Sequence, residues 1–289
     1  MTSPGWRIAK LVAVLAIIVW SLGPILIGVS TSLSTQREVN AIPTRWVPHH
    51  PTLQAYHDLL GGTSNQRAGG TVTEAGTFTR SIYNSAILSA VSTSFILIFA
   101  TMAAYAVGRL RFKLGGAVLA LLVGTMIVPI FVVVVSLFKV LAEPPVGPSL
   151  IDTKGGLVLV FIATLTPLAT WLLYTQVREM PTEPEEAALI DGCSRWKAFV
   201  RIVVPQMSSG IAAVAAIMML SVWGEFLIPL LLTQTMNAKP VTVQITEYVG
   251  KYTTNYPILA AAGVLALIPP ALLALALNKR ITGMLAGSS

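Results

Sequence analysis

The chain has 289 residues, of which 54% are hydrophobic and only 11% are charged, and its formal net charge is +7. Because soluble domains carry about 25% charged residues, this composition excludes a soluble globular protein and indicates an integral membrane protein. No basic run is interleaved with aromatic residues, so the positive charge does not indicate nucleic-acid binding. The single cysteine, Cys193, excludes an intrachain disulfide.

Six apolar stretches are long enough to cross a bilayer, which requires about 20 residues each. Backbone polar groups in lipid must be satisfied within the segment, so we predict an all-α polytopic membrane protein with one transmembrane domain over residues 1–289. The predicted spans are residues 11–29, 85–107, 114–138, 155–174, 210–232 and 256–277. Prolines inside the spans are expected to kink or locally unwind them; these are Pro129, Pro167, Pro229, Pro269 and Pro270.

The basic residues predict the orientation of the chain. With a cytoplasmic N-terminus, 11 of the 19 basic residues fall in about 60 interior loop residues, and the other eight fall in about 95 exterior residues. We therefore expect a multi-pass protein of the cell inner membrane with both termini in the cytoplasm. No small-residue cleavage site follows the first apolar stretch, so we expect an uncleaved first helix.

Residues 30–84 form the predicted first exterior loop. Within it, residues 61–76 are rich in glycine and threonine and lack an apolar period, which indicates a flexible insertion. The insertion is either a passive loop or a contact with a substrate-binding protein. His49, His50 and His57 lie in the same exterior loop without cysteine or a tight acidic cluster, so we predict no metal site.

Residues 181–205 form a charged island between the fourth and fifth spans, and they predict two short helices joined at Gly192. Thr182 and Glu185 have the spacing of a capping box for the first helix. Glycine is favoured where that helix ends, because the terminal residue adopts a left-handed conformation. Ser194 is placed to cap the second helix. Apolar residues of that helix recur on one face; they are Trp196, Phe199, Val200 and Val203.

The same island resembles the EAA loop of ABC-importer permeases. Glu186-Ala187-Ala188, Gly192, Ile202 and Val204-Pro205 stand at the spacing of that motif, with Val204 in place of the usual leucine. The Ile190-Asp191-Gly192 context is similar to the carbohydrate-uptake branch, which includes the maltose permeases. In that family the loop forms coupling helices that insert into a groove on a cytoplasmic ATPase. The resemblance implies coupling roles for Glu185, Glu186, Ala187, Ala188, Asp191, Gly192, Arg195, Ile202 and Pro205. The alternative is a solvated amphipathic connector without a partner.

The fifth span contains the one acidic residue within any predicted span, Glu225. A carboxylate in hydrocarbon costs at least about 2.5–3.5 kcal/mol, so Glu225 is expected to face a cavity or a partner. The stretch from Trp223 to Leu227 also resembles a Trp-Asn-Glu-Phe pattern of the family, with Gly224 where asparagine is usual. Two interpretations remain: Glu225 lines the substrate pathway with Ser221, Trp223, Gly224 and Phe226, or it forms a structural hydrogen bond across a subunit interface.

The exterior loop between the fifth and sixth spans, residues 233–256, combines polar and aromatic side chains. In the family this region can reach into a docked binding protein. The resemblance therefore implies a binding-protein contact formed by Lys239, Tyr248, Lys251 and Tyr252. A cover over the transport cavity is the alternative.

The resemblance covers nearly the whole chain and implies a permease subunit of an ATP-driven, binding-protein-dependent importer. Its implied partners are the lipid bilayer, a second homologous permease, two ATPase subunits that hold ATP and Mg, and an extracytoplasmic substrate-binding protein. The chain has no phosphate-binding loop of the G-x-x-x-x-G-K-[ST] type, so we expect no cofactor, catalytic residue or enzyme activity in it. A heterodimer of permeases is expected, and a homodimer stays open.

Two other classes of membrane protein fit less well. A stand-alone secondary transporter favours internal repeats and several intramembrane ionisable residues, whereas the spans contain one carboxylate. An intramembrane hydrolase needs a nucleophile and base at membrane depth, but all three histidines lie outside the spans. For an importer, the absence of cations in mid-membrane favours a neutral sugar over glycerol-3-phosphate-type substrates, although a partner chain could supply the charge.

Overall fold

Every regular element in the part of the chain that the structure describes is a helix, as the composition predicts. The computed structural model describes residues 4–43, 46–61, 76–110, 113–145, 147–249 and 254–286. A π-helical turn, Phe199–Val203, lies between the short helices Arg195–Ala198 and Val204–Gln206. The helices are α1 Pro4–Ser32, α2 Gln36–Val39, α3 Gln54–Leu60, α4 Thr77–Arg109, α5 Gly115–Thr125, α6 Ile130–Ala142, α7 Lys154–Glu179, α8 Glu183–Ile190, α9 Arg195–Ala198, α10 Val204–Gln206, α11 Ser208–Gly224, α12 Leu227–Leu232, α13 Val241–Thr246 and α14 Tyr256–Ala286.

Four helices of the described chain are long and apolar enough to cross a membrane, and they belong to α1, α4, α7 and α14. Two further pairs meet the same criterion only when their two helices are taken together. The first pair, α5 with α6, is bent by 93°, and the second, Arg195–Gln206 with Ser208–Gly224, is bent by 74°. The structure therefore has four to six candidate spans. The predicted second span began at residue 85, whereas α4 begins eight residues earlier, at Thr77.

Two of the predicted spans, residues 114–138 and 210–232, are interrupted near prolines, as expected. Pro129 is the N-cap residue of α6 and has extended backbone, which ends the preceding helix. In the predicted fifth span, the helix stops at Gly224 and restarts at Leu227. Pro229 has no N–H to donate to the carbonyl of Glu225, four residues earlier, and that carbonyl accepts a bond from the Thr242 hydroxyl at 2.8 Å instead. Residues 210–232 are therefore two helices.

The chain divides into two compact units. The first consists of Met1–Ile82 and Val243–Ile268. In it, the carboxylate of Glu38 completes a capping box with Thr35 at the start of α2. Its other oxygen accepts the backbone N–H groups of His49 and His50 at 3.1 and 3.2 Å. These bonds, led by the one from the Thr35 N–H, hold the pKa of Glu38 below its ordinary value. Of the predicted insertion, residues 62–75 lie outside the described residues.

The second unit consists of Tyr83–Thr242 and Pro269–Ser289, and it contains the charged island and the residues predicted for the pathway. Its main hydrophobic core joins α4, α7, the π turn and α11. Close packing is visible where α4 meets α7, because a Cβ on Gly108 would lie 2.7 Å from a methyl carbon of Val177. The island is therefore built onto the same core as three of the long helices of this unit.

Candidate functional site

The charged island folds as the two-helix hairpin that its sequence predicts, hereafter the hairpin (residues 183–206). Gly192 ends α8 with a φ of +86°, the left-handed conformation in which glycine is favoured. The N–H of Cys193 donates to the Ala188 carbonyl and the N–H of Gly192 donates to the Leu189 carbonyl. This pair of bonds is the Schellman arrangement, which satisfies carbonyls left without intrahelical partners. The prediction of the turn at Gly192 is confirmed.

The second helix of the hairpin begins as predicted and then departs from the predicted stripe. The Ser194 hydroxyl accepts the N–H of Lys197 at 3.3 Å and caps α9. The helix then widens into the π turn, which buries Phe199 and Val203. Trp196 and Val200, however, are 61% and 45% exposed. Two of the four residues of the predicted apolar stripe are therefore buried in this chain, and Trp196 is exposed although its ring packs against Phe199.

Glu185 does not form the predicted capping box. Thr182 is the N-cap residue of α8, but its side chain makes no capping bond. The Glu185 carboxylate instead turns into the protein, where it is 7% exposed. The Tyr105 hydroxyl donates to its Oε1 at 2.6 Å, and the Nε of Arg109 lies 3.6 Å from its Oε2. A tertiary ion pair with partners about 80 residues away replaces a local bond, because a buried carboxylate is stabilised by a phenol and a guanidinium.

Arg109 also holds the segment that leads into the hairpin. Its Nη2 donates to the carbonyls of Met180 and Pro181, at 2.8 and 3.2 Å. These two residues connect α7 to Thr182 and the first turn of α8. One arginine at the end of α4 therefore contacts the end of α7, the connecting residues and α8.

Tyr105 joins α4 to the second helix of the hairpin as well. Its ring packs against Phe199 with the centroids 4.7 Å apart, and Phe199 packs against Trp196 at 5.5 Å. Tyr105 thus contacts α8 through its hydroxyl and the π turn through its ring. We call Tyr105, Arg109 and Glu185 the hairpin anchor. Sequence reasoning assigned Glu185 to coupling but did not pair it with α4.

The other residues predicted for coupling lie mainly on the surface of the hairpin. Ala188 and Ile202 are half-buried, whereas the remaining side chains are exposed; these are Glu186, Ala187, Asp191, Arg195 and Pro205, with Gly192 exposed between them. A polar cavity of about 640 Å³ opens beside the hairpin anchor, and Glu186, Leu189 and Arg195 contribute to its wall. An acidic residue, two small residues and a turn thus form one accessible surface.

Glu225 occupies the break between α11 and α12. Its Oε1 accepts the backbone N–H groups of Leu227 and Ile228, at 3.1 and 3.4 Å. These N–H groups belong to the start of α12, where a negative charge is stabilised by the helix dipole. The half-buried carboxylate therefore has a structural role within this chain, a role that neither interpretation from the sequence included.

The other residues predicted for the pathway surround the same break. The Ser221 hydroxyl donates to the Ile217 carbonyl at 2.8 Å. Trp223 is buried, and Phe226 is 38% exposed. A Cβ added to the exposed Gly224 would meet no atom within 4 Å, so close packing at the Cβ position does not require glycine here.

A second anchoring network, missed by the sequence analysis, fastens residues 233–242, which comprise the segment between α12 and α13 and the first two residues of α13. The Asn84 side-chain amide donates to the carbonyls of Met236 and Lys239 at 3.1 and 3.0 Å. The Ser85 hydroxyl accepts the N–H of Val241 at 2.8 Å. A polar amide at the start of an apolar span is a signal for such a bond, because a buried amide requires partners.

Asp152 holds the other end of this segment. Its Oδ1 accepts the N–H groups of Gln234 and Thr235, both at 3.0 Å, and its Oδ2 accepts the Thr235 hydroxyl. Burial raises the pKa of Asp152, but these bonds and the nearby charge of Lys239 outweigh burial and hold the pKa below its ordinary value. We call Asn84, Ser85 and Asp152 the loop anchor.

Two of the four residues predicted to contact a binding protein are buried. Lys239 is 8% exposed and Tyr248 is 2% exposed, so neither presents appreciable surface in this structure. Tyr248, in the first unit, packs against Phe78, and its burial raises the pKa of its hydroxyl. Lys251 and Tyr252 lie outside the described residues. Within the described part of the chain, no group of three or more His, Cys, Asp or Glu residues is placed to hold a metal ion.

With this geometry established, comparison with known proteins defines the class. A family model for binding-protein-dependent transport system inner membrane components matches residues 96–283, and the chain belongs to that family. The matched range includes the whole hairpin and the break at Glu225.

Three similar proteins extend the comparison. The chain is 27% identical over 293 residues to the sulfoquinovosyl glycerol transport system permease protein SmoH of Agrobacterium fabrum. The aligned region covers 99% of this chain and 97% of that protein. It is 32% identical over 218 residues to the trehalose transport system permease protein SugB of Mycobacterium tuberculosis, covering 73% and 77%. Its fold is similar to a chain of a bacterial ABC transporter that imports the acidic polysaccharide alginate, with a TM-score of 0.76, 18% identity and coverage of 96% and 98%.

Proposed function

We propose that this chain is a transmembrane permease subunit of an ATP-driven, binding-protein-dependent importer and forms half of the translocation pathway for a sugar or sugar derivative. The observation that carries the proposal is the family match over residues 96–283, which contains an exposed hairpin built onto the core of the long helices. The names of the two curated relatives, which refer to sulfoquinovosyl glycerol and trehalose, support the substrate class.

Six membrane crossings complete this proposal. The bent pair α5 with α6 counts as one broken span, and α11 with the short α12 that follows it counts as another, in addition to the four continuous helices. Broken helices are tolerated in membranes where they line a cavity or are buried in protein. The excess of basic residues in the proposed interior loops supports a cytoplasmic location for both termini and the hairpin.

The hairpin is the proposed docking surface for an ATPase subunit. Glu186 and Asp191 are exposed and can pair with basic groups on a partner, and the small side chain of Ala187 lets another surface approach the backbone closely. The complex then contains a second permease, two ATPases that hold ATP and Mg, and an extracytoplasmic binding protein. ATP hydrolysis takes place in the ATPases, and this chain contributes the pore.

The break at Glu225 is the proposed lining of the pathway. Phe226 and Gly224 are exposed there, and an aromatic ring can stack on the apolar face of a sugar. Glu225 supports this lining by holding the start of α12 through its backbone N–H groups. The proposal assigns substrate contact to Phe226 and a positioning role to Glu225.

Reconstitution of the importer tests the proposed function. The chain is assembled in proteoliposomes with its candidate partner permease, ATPase and binding protein, and ATP hydrolysis is measured with trehalose, sulfoquinovosyl glycerol or an alginate oligosaccharide. We expect one binding-protein–sugar pair to stimulate hydrolysis. Sugar uptake into the proteoliposomes is measured in parallel. Glu186→Lys is expected to reduce this uptake about tenfold, equivalent to about 1.4 kcal/mol of docking free energy.

Glu183→Lys is the matched control, since Glu183 is an exposed acidic residue of the same helix. It should leave uptake within about twofold of the wild type, a difference below about 0.5 kcal/mol. If the chain assembles with no ATPase, or if Glu186→Lys transports normally, the docking role of the hairpin is disproved.

A further inference from the structure

The hairpin anchor and the loop anchor use opposite ends of one uninterrupted helix. Ser85 and Tyr105 both lie on α4 and are 20 positions apart, which corresponds to about 30 Å along a helix. That distance matches the hydrocarbon thickness of a bilayer. Helix α4 therefore connects the hairpin to residues 233–242, which the loop anchor holds.

Helix α4 is suited to transmit movement because one of its faces is buried along its length. Its hydroxyl residues Ser85, Ser89 and Ser92 are at most 2% exposed, and small side chains allow the backbone to approach its neighbours closely. Further along, Ile96, Ala100 and Ala104 enter the core that also contains the π turn and α11. A packed, continuous helix moves as a rigid element.

The attachment of α4 to the hairpin is specific and made of buried groups. Glu185 accepts a hydrogen bond from Tyr105 and is paired with Arg109, one turn further along α4. Beside these contacts lies the polar cavity of about 640 Å³, lined by residues of α4 and the hairpin. Arg109 and Glu185 of the anchor are among the residues that line this cavity.

We propose that Tyr105, Arg109 and Glu185 are positioning residues that make α4 move with the hairpin, so that ATPase-driven movement of the hairpin reaches residues 233–242. This inference rests on the proposed function, because it requires that an ATPase moves the hairpin. At the far end, Asn84 and Ser85 transfer the movement to the backbone of that segment through three hydrogen bonds.

Two cysteine reporters separate movement of the hairpin from movement of the loop. The native Cys193, directly after Gly192, reports on the hairpin. For the loop, Cys193→Ser is combined with Asn237→Cys, since Asn237 is exposed within residues 233–242. The rate of maleimide labelling of this chain is compared in the assembled importer without nucleotide and with ATP plus orthovanadate. In the wild-type anchor we expect both rates to change, by about fivefold or more.

Glu185→Gln and Tyr105→Phe are the test variants, because each removes one charge or one hydroxyl while keeping the size of the side chain. We expect the Cys193 rate to respond to ATP and vanadate as before, while the response at Asn237→Cys is lost. Sugar uptake per ATP hydrolysed should fall about tenfold, a typical size for coupling between two sites. The control Glu183→Gln, on the same helix, should leave both responses unchanged.

Each other outcome counts against the proposal. A response at Asn237→Cys that persists in both variants, or that is absent with the wild-type anchor while Cys193 responds, overturns the transmission through α4. In a third outcome, sugar uptake and ATP hydrolysis both fall in proportion to the amount of assembled complex, and the ratio of uptake to hydrolysis is unchanged. That result assigns the anchor a structural role only. If Cys193 itself fails to respond in an importer that hydrolyses ATP, the docking role of the hairpin fails as well.

Discussion

The two anchors of α4 use different chemistry. The hairpin anchor joins side chain to side chain, with the carboxylate of Glu185 between the hydroxyl of Tyr105 and the guanidinium of Arg109. The loop anchor joins side chain to backbone, since Asn84 and Asp152 bond to main-chain groups of residues 234–239. Both anchors hold a short segment against long helices, but they depend on the sequence in different ways.

This difference determines which substitutions each region tolerates. A side chain that hydrogen-bonds to a backbone group keeps that partner when the side chain at the partner position is substituted. A buried charged pair requires both side chains, because loss of one leaves the other charged and without compensation. We infer that Met236 and Asn237, which are half-buried and exposed, can vary in side chain while the segment remains anchored, whereas the hairpin anchor changes only as a set.

The largest expected effect is that of Arg109→Ala. Arg109 and Glu185 have side chains that are 10% and 9% exposed, and removing one partner of such a pair costs about 3–5 kcal/mol. The unfolding midpoint of the detergent-purified complex should fall accordingly. The control Arg178→Ala removes an exposed arginine that bonds to Tyr174 on its own helix, and it should cost less than about 1 kcal/mol.

The double variant Arg109→Ala with Glu185→Ala tests whether the two residues act as a set. Because the uncompensated carboxylate is gone, the double variant should be more stable than the sum of the two single effects predicts, by about 0.5–3 kcal/mol. Additive costs would show that the two side chains act independently, and the contrast between the anchors would then disappear.

An intermediate effect is expected for Asn84→Ala. It leaves the carbonyls of Met236 and Lys239 without their donor, and each unsatisfied buried group costs about 1–3 kcal/mol. Met236→Leu, on the other side of the same bond, should change the free energy of unfolding by less than about 0.5 kcal/mol. Equal destabilisation by the two variants would contradict the rule that the loop anchor ignores side-chain identity, and unfolding in a denaturant series measures both.

The parts of the fold that follow from neighbouring residues were predictable, and those that follow from distant contacts were not. Gly192 and Ser194 form the predicted turn and cap because each bonds within six residues of itself. Glu185 also had a local partner available in Thr182, but the tertiary pair with Arg109 replaced it. A spacing rule identifies possible local bonds and contains no information on a competing partner elsewhere in the chain.

The candidate pathway shows the same limit. The sequence located an interruption near Pro229 and identified Glu225 as an unusual residue in an apolar span. It did not connect the two, although the missing N–H of Pro229 frees the Glu225 carbonyl and the Glu225 side chain caps the helix that restarts. Asp152 was missed because it lies in a loop between two predicted spans, where a single carboxylate is ordinary. Its role depends on a contact with Gln234, which lies 82 residues further along the chain and could not be predicted from neighbouring residues.

The smallest effect is expected at Asp152, where the loop anchor carries a charge. Asp152→Asn keeps the shape of the side chain but weakens three hydrogen bonds, and solvent screening limits the cost to about 0.5–1 kcal/mol at neutral pH.

The effect of this substitution should depend on pH, because the folded-state pKa of Asp152 lies below its ordinary value of about 3.9. The carboxylate therefore stabilises the fold at pH values above that ordinary value, and the stabilisation is lost as the pH falls through the lowered pKa. The stability difference between wild type and Asp152→Asn should therefore be constant from pH 7 to about pH 5 and vanish in stronger acid. Thr235→Val removes one of the donors that lower the pKa, so in that background the difference should be smaller at neutral pH, and its loss on acidification should be complete at a higher pH. If the stability difference between wild type and Asp152→Asn does not depend on pH, the carboxylate contributes through its shape alone. The loop anchor would then lack a charge-dependent hydrogen bond that can be compared with the ion pair of the hairpin anchor.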